Sequence, residues 1–288
     1  MTGDSFRNAR LGRYPAVIRE GSGVPLLLCH SHAVAKARPV VAAHAVDGRP
    51  LALIGAMDMR YFVSSPADVV RDLLDATGWG NEARIDVVGC SAGGHTALLS
   101  GALLSLALPA AVVSITVVSP IVAMWPPLGG IRAPKHEMIL ARIETRGKKA
   151  RAHLHRYGDA ATWIAKAAAA AEGRFSVNVL YPTPNERDVA QAMLLAGIPG
   201  VELFGAPIKN HRLLPLFAPP QSDNHLIQIL QKRLSDMPED TRSQEAVRLA
   251  GAVLALRRTY PQITELLEAG DAPMQITPSS PALPLPGA

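Results

Sequence analysis

The sequence predicts an α/β protein: a mostly parallel central sheet with helices on both faces and one helical insertion. Three observations predict it. Apolar runs of strand length alternate along the chain with segments of helical length. The strand-like runs, such as "PLALIGAM" and "AAVVSITVV", are apolar at nearly every position, so both faces of each are expected to be buried. Hydrophobic residues make up 48% of the 288 and charged residues 18%, which is enough for a large core.

Residues 1–23 carry no secretory-type apolar run and are expected to be an extension. The first strand-like run is "VPLLLCHS" (24–31), and "RPVVAAHAVDG" (38–48) reads as a short helix that stops at Gly48. "PLALIGAM" (50–57) is the next strand. Ser65-Pro66-Ala67-Asp68 is a helix start, with a cap residue, a proline at the first position and an acid in the first turn. That helix should end near Ala76, before Gly78. "RIDVVG" (84–89) is a strand that runs into a glycine-rich turn and an apolar helix. The stretch "ALLSGALLSLALPAAVVSITVV" is uncharged and long enough to span a bilayer. Pro109 divides it into a Leu/Ala-rich half of helical period and a β-branched half, the pattern of a buried helix followed by a buried strand. The sequence then changes character and reads as helical. "FSVNVLYP" (175–182), "ERDVAQAMLLAG" (186–197) and "GVELFGAP" (200–207) resume the strand, helix, strand alternation. The chain thus divides into an extension (1–23), a core (24–120 and 174–222), an insertion (121–173), C-terminal helices (223–270) and a Pro-rich tail (271–288) expected to be disordered.

The composition excludes several classes of function. The net charge is +5, but the most basic stretch, "RIETRGKKARAHLHR" (142–156), lacks interleaved aromatics and reads as a solvated helix. No nucleic-acid partner and no membrane contact are expected. The two cysteines, Cys29 and Cys90, imply no disulfide framework and fit a reducing, cytoplasmic compartment. His30-x-His32 and His153-x-His155 each pair two imidazoles without a third ligand at sensible spacing, so no metal is expected. There is no phosphate-binding or dinucleotide glycine motif, and no cofactor is expected.

The chemistry points to one turn. Gly89-Cys90-Ser91-Ala92-Gly93 lies directly after a strand and directly before a helix. A serine there occupies a strained backbone conformation, and small neighbours let strand and helix close around it. Its hydroxyl is then exposed at the carboxyl end of the sheet, and the Ala92 N–H faces a developing oxyanion. A nucleophilic serine needs a base, and the base needs an acid, in the chain order Ser, acid, His. His211 follows the last strand in "VELFGAPIKNHRLLPLF" and would emerge at that strand's carboxyl end. Asp188 is the best carboxylate and Glu186 the alternative, although an acid in a first helical turn also complements the helix dipole. Asn185 reads as a helix cap, His95 as a packed or solvated side chain, and Cys90 as a small residue beneath the turn.

With "GCSAGG", the runs "PLLLCHSHA", "LALIGAMDMRYF" and "HRLLPLF" make the chain resemble the α/β-hydrolase superfamily over about 24–217. By that resemblance Ser91 is the nucleophile, His211 the base and Asp188 (or Glu186) its orienting acid. His30 and Ser31 form the oxyanion loop with Ala92, and the insertion is a cap. The resemblance implies a serine hydrolase that cleaves the ester, thioester or amide of a small-molecule acyl substrate through an acyl-enzyme. The chain departs from the pattern at Ser31, where the superfamily usually has glycine, and at Asn185, where an acid is usual. Those departures keep open a second reading, a non-catalytic or acyl-transferring accessory protein on the same scaffold.

Overall fold

Eight strands form one sheet in the computed structural model, in the spatial order β1-β2-β4-β3-β5-β6-β7-β8. They are β1 (Arg7–Leu11), β2 (Tyr14–Arg19), β3 (Leu26–His30), β4 (Leu51–Gly55), β5 (Arg84–Cys90), β6 (Val112–Val118), β7 (Phe175–Pro182) and β8 (Val201–Ala206). The structure describes residues 6–30, 49–55, 64–125, 134–145 and 147–206, and in the C-terminal part 228, 231, 238–244, 246 and 247. The helix expected over 38–48 and the tail lie outside these residues. Of the expected C-terminal helices only the few positions just named are described.

From β4 through β8 every neighbouring pair is parallel, so the expected mostly parallel sheet is borne out. β1 and β2 are antiparallel to each other, and β2 is antiparallel to β4. These two strands lie within the expected extension; β1 (RNARL) is an edge strand with Arg7, Asn8 and Arg10 exposed, and β2 (YPAVIR) is a short buried run between it and β4. Charges on an edge also deter pairing with another chain. The two-residue turn between β1 and β2 is anchored from below. The Gly12 N–H donates to Asp72 Oδ2 at 2.7 Å, and the Arg13 N–H to Ser64 Oγ at 2.6 Å.

The helices are α1 (Pro66–Thr77), α2 (Ala92–Ala107), α3 (Pro134–Thr145), α4 (Lys148–Tyr157), α5 (Ala160–Ala170) and α6 (Glu186–Met193). α1 starts with Pro66 at its first position and ends at Gly78 in the left-handed conformation, as the sequence predicts. α2 is apolar all round and buried nearly all round. It packs on β3, β5 and β6 and is flanked by α1 and α5. Leu108 to Ala111 separate α2 from β6, so the long uncharged run is a helix and a strand. Among the described residues no helix is long and apolar enough to cross a membrane. α4 turns Leu154 and Tyr157 inward and leaves Lys148, Lys149, Arg151 and Arg156 exposed.

Alternate residues of the central strands bury opposite faces. Leu27, Cys29, Ala52, Ile54, Ile85 and Val87 join the core beneath α1 and α2. Leu26, Leu28, Leu51, Leu53 and Val88 form a separate cluster on the other face, each at most 8% exposed. At the amino ends of the strands a charged cluster holds the edge together. Asp86 accepts from Arg49 at 2.8 Å and from Arg84 at 3.0 Å. Arg49 Nε also donates to the Val24 carbonyl at 2.7 Å, and the Arg19 guanidinium donates to the Arg49 carbonyl.

Candidate active site

The carboxyl end of β5 carries the turn that the sequence singled out. Cys90 closes the strand, α2 begins at Ala92, and Ser91 between them has φ 53° and ψ −118°. A residue with a β-carbon seldom adopts a positive φ, and it persists only where its surroundings enforce it. Three backbone bonds do so here. The Ser91 N–H donates to the Val118 carbonyl at 2.9 Å. The Ser91 carbonyl accepts from the Gly94 N–H at 3.0 Å and from the Ile121 N–H at 3.3 Å. Ser91 is half-buried, and its side chain makes no capping bond to α2. A β-carbon at Gly89 would lie 2.5 Å from the Gly93 carbonyl oxygen and 2.6 Å from the Ala97 β-carbon. One at Gly94 would lie 2.8 Å from the Pro120 β-carbon. Strand, helix and the segment leaving β6 therefore meet at van der Waals distance around the serine.

The other expected site residues fall as follows. Ala92 is the first residue of α2, where an amide has no partner within the helix. His30 ends β3, whose preceding residue Cys29 is in register with Gly89 of β5. Asp188 is in the first turn of α6 and only 7% exposed, whereas Glu186 is exposed. Asn185 caps α6, accepting from the Arg187 N–H at 3.2 Å and the Asp188 N–H at 3.4 Å. Because α6 follows β7, its first turn lies at the same sheet edge as Ser91, with β6 between them, about 10 Å across. Ser31 and His211 lie outside the described residues.

Sequence reasoning missed the segment that bridges these positions. Ser119, fully buried, has φ 46° and donates its N–H to the Leu180 carbonyl at 2.7 Å. Two adjacent parallel strands are thus each followed by a serine with positive φ. After Ser119 the chain runs across the sheet edge as far as Met124. His95 of α2 is buried there, with Nδ1 3.1 Å from the Ile121 carbonyl oxygen. Gln191 of α6 is buried too, and its Oε1 accepts from the N–H groups of Val122 at 2.7 Å and Ala123 at 2.8 Å. The available signal was Gln191 at three residues from Asp188, a polar residue on the apolar face of a helix. His155 stacks on Trp125 at 4.5 Å, and His153 meets Tyr157 edge-on. Cys90, expected beneath the turn, is half-buried, whereas Cys29 is fully enclosed and burial pushes its thiol pKa up. A cavity of about 30 Å³ behind α2, lined by Tyr14, Val69, His95 and Leu99 among others, has room for a water or two rather than for a substrate.

No protein-family model matches the sequence, and a search of curated proteins returns no match. Solved structures do match it. The chain is similar to solved hydrolases. A carboxyl esterase from the mycorrhizal fungus Tuber melanosporum is 10% identical, with 87% of each chain covered and a TM-score of 0.49. A hormone-sensitive lipase from a metagenome library is 16% identical, with 88% of this chain and 87% of that one covered and a TM-score of 0.42. An α/β hydrolase enzyme from the sediment metagenome of the Mar Chica lagoon, Morocco, is 13% identical, covering 69% and 87%, with a TM-score of 0.41.

Proposed function

We propose that this chain is a serine hydrolase of the α/β-hydrolase type that cleaves the ester, thioester or amide of a small-molecule acyl substrate. One observation carries the reading: Ser91 is held at positive φ between a parallel strand and the helix that follows it. That geometry lifts a hydroxyl out of the sheet edge toward the first amides of a helix. Ser91 Oγ attacks the acyl carbonyl while His211 takes its proton, and the oxyanion is held by the Ala92 N–H and a group from the His30–Ser31 turn. The tetrahedral intermediate expels the alcohol, thiol or amine, which leaves with the proton from His211, and an acyl-Ser91 remains. Water, deprotonated by His211, then releases the carboxylic acid and restores Ser91. Asp188 holds the imidazole in register, and α3 and α4 form part of a cap.

The chain's reach supports the assignment of the base. Five residues from Ala206 to His211 extend at most about 17 Å. Three strand spacings from β8 to β5 amount to about 14 Å. The burial of Asp188 within the first turn of α6 also suits a helix-dipole role, and this favours the second reading, an accessory protein that keeps the cleft without hydrolysis.

The test is an active-site fluorophosphonate probe with intact-mass detection, applied to the wild type, Ser91→Ala and His211→Ala. The hydrolase reading expects one probe adduct on wild type and none on either variant. A folded wild type that takes no label would leave the accessory reading standing in its place.

A further inference from the structure

A buried amide needs a reason, because burying it without partners costs free energy and a leucine would fill the same space. Gln191 lies 6% exposed on the face of α6 that also carries Asp188 and Ala192. Its Oε1 accepts two backbone N–H groups, from Val122 and Ala123, and its Nε2 donates to the Ala123 carbonyl at 3.4 Å. Those N–H groups belong to the segment that leaves β6, which bridges to Asp159 through the Val122 carbonyl and the Met124 N–H and so leaves the N–H groups of Val122 and Ala123 to Gln191. The same segment is bound to the turn at Ser91 and the helix after it, through the Ile121 N–H to the Ser91 carbonyl and through the Ile121 carbonyl to His95. A continuous path of hydrogen bonds therefore runs from Ser91 through Ile121 and Val122 to Gln191, one helical turn from Asp188.

We infer that Gln191 is a positioning residue that fixes the helix bearing Asp188 relative to the nucleophilic turn. This rests on the triad reading given above. Gln191 touches neither substrate nor the reacting atoms. It acts by setting where Asp188, and through it the imidazole, stands with respect to Ser91. A misplacement of about 1 Å in such an arrangement costs on the order of a hundredfold in rate.

The experiment is a double-variant cycle on the full chain, with Gln191→Met, Asp188→Asn and both together. The readouts are the rate of fluorophosphonate labelling at Ser91 and circular dichroism for folding. Gln191→Met is expected to label about tenfold to a hundredfold more slowly than wild type. In the Asp188→Asn background the same change should cost less than about threefold, because the group it positions is already gone. Losses that simply multiply would assign Gln191 a general packing role and overturn the proposal. Should Gln191→Met fail to fold, Gln191→Asn, one methylene shorter, takes its place in the cycle with the same two outcomes. The underlying reading fails separately. If wild type takes no label, or if Asp188→Asn labels as fast as wild type, the triad assignment falls and this proposal falls with it. If Asp188→Asn is slow and the Gln191 variant is not, only the role of Gln191 is lost.

Discussion

Ser91 holds its place with backbone strain, about 1–3 kcal/mol for a residue with a β-carbon at positive φ. Glycine relieves that strain and alanine does not. Ser91→Gly should therefore unfold at higher denaturant concentration than Ser91→Ala, by the equivalent of about 1 kcal/mol. Equal midpoints for the two variants in urea would show that the turn is not strained. The cysteines offer a second contrast between single residues. Burial raises the Cys29 thiol pKa, so little thiolate exists at neutral pH, and the residue is only 1% exposed. Cys90, half-buried, is reachable. A native chain treated with an aromatic disulfide reagent at pH 8 should release about one equivalent of thiolate quickly and the second only on unfolding. Two rapid equivalents would contradict the enclosed position of Cys29.

Elements whose own residues set their limits were legible in the sequence. β7 matches its predicted bounds, and α1 ends one residue beyond its predicted end because Gly78 supplies the left-handed cap. β1 was not legible, since a charged edge strand gains its stability from a neighbour rather than from its own hydropathy, and β2 is a short apolar run between flanking charges. Ser65 shows how a correct boundary can rest on a different contact. It precedes α1 as expected, yet its hydroxyl makes no capping bond and donates to the Tyr157 hydroxyl at 3.3 Å. The meeting of β5 and α2 gives the prediction at this scale. In Gly89→Ala the new methyl would press on the Gly93 carbonyl, which is backbone and cannot turn aside. A loss of about 1–3 kcal/mol is expected in urea unfolding, with slower labelling of Ser91. An unchanged unfolding midpoint would mean that the close approach is not needed.

At the scale of the whole molecule, the two ends of the sheet do different work. The carboxyl edge carries the turn at Ser91 and the first turn of α6, and the amino edge is fastened by charge. Asp86 joins Arg49, and through it the carbonyl of Val24 and the guanidinium of Arg19, so one carboxylate binds the starts of β3, β4 and β5 and the end of β2. Asp86→Ala removes the ion pairs to Arg49, whose side chain is 17% exposed, and to Arg84. A loss of about 3 kcal/mol is expected. A urea midpoint within experimental error of wild type would show that the cluster contributes nothing. The turn around Ser91 was legible because its signal is contiguous. The segment joining it to α6 was not, because Ile121, Val122 and Gln191 come together only through the fold and carry no local pattern.

The strand order has a consequence for how the chain comes off the ribosome. β4 lies between β2 and β3, so the N-terminal hairpin has no place to dock until β4 has been made. β5 adds to the free edge of β3, and from β6 onward each new strand adds to the outer edge left open by the one before it, so order of synthesis becomes order of assembly. The turn at Ser91 follows the same schedule, since its backbone partners Val118 and Ile121 are translated later. A growing chain therefore carries Ser91 well before it can hold that residue in its strained backbone shape. The strained turn is completed only with the next strand.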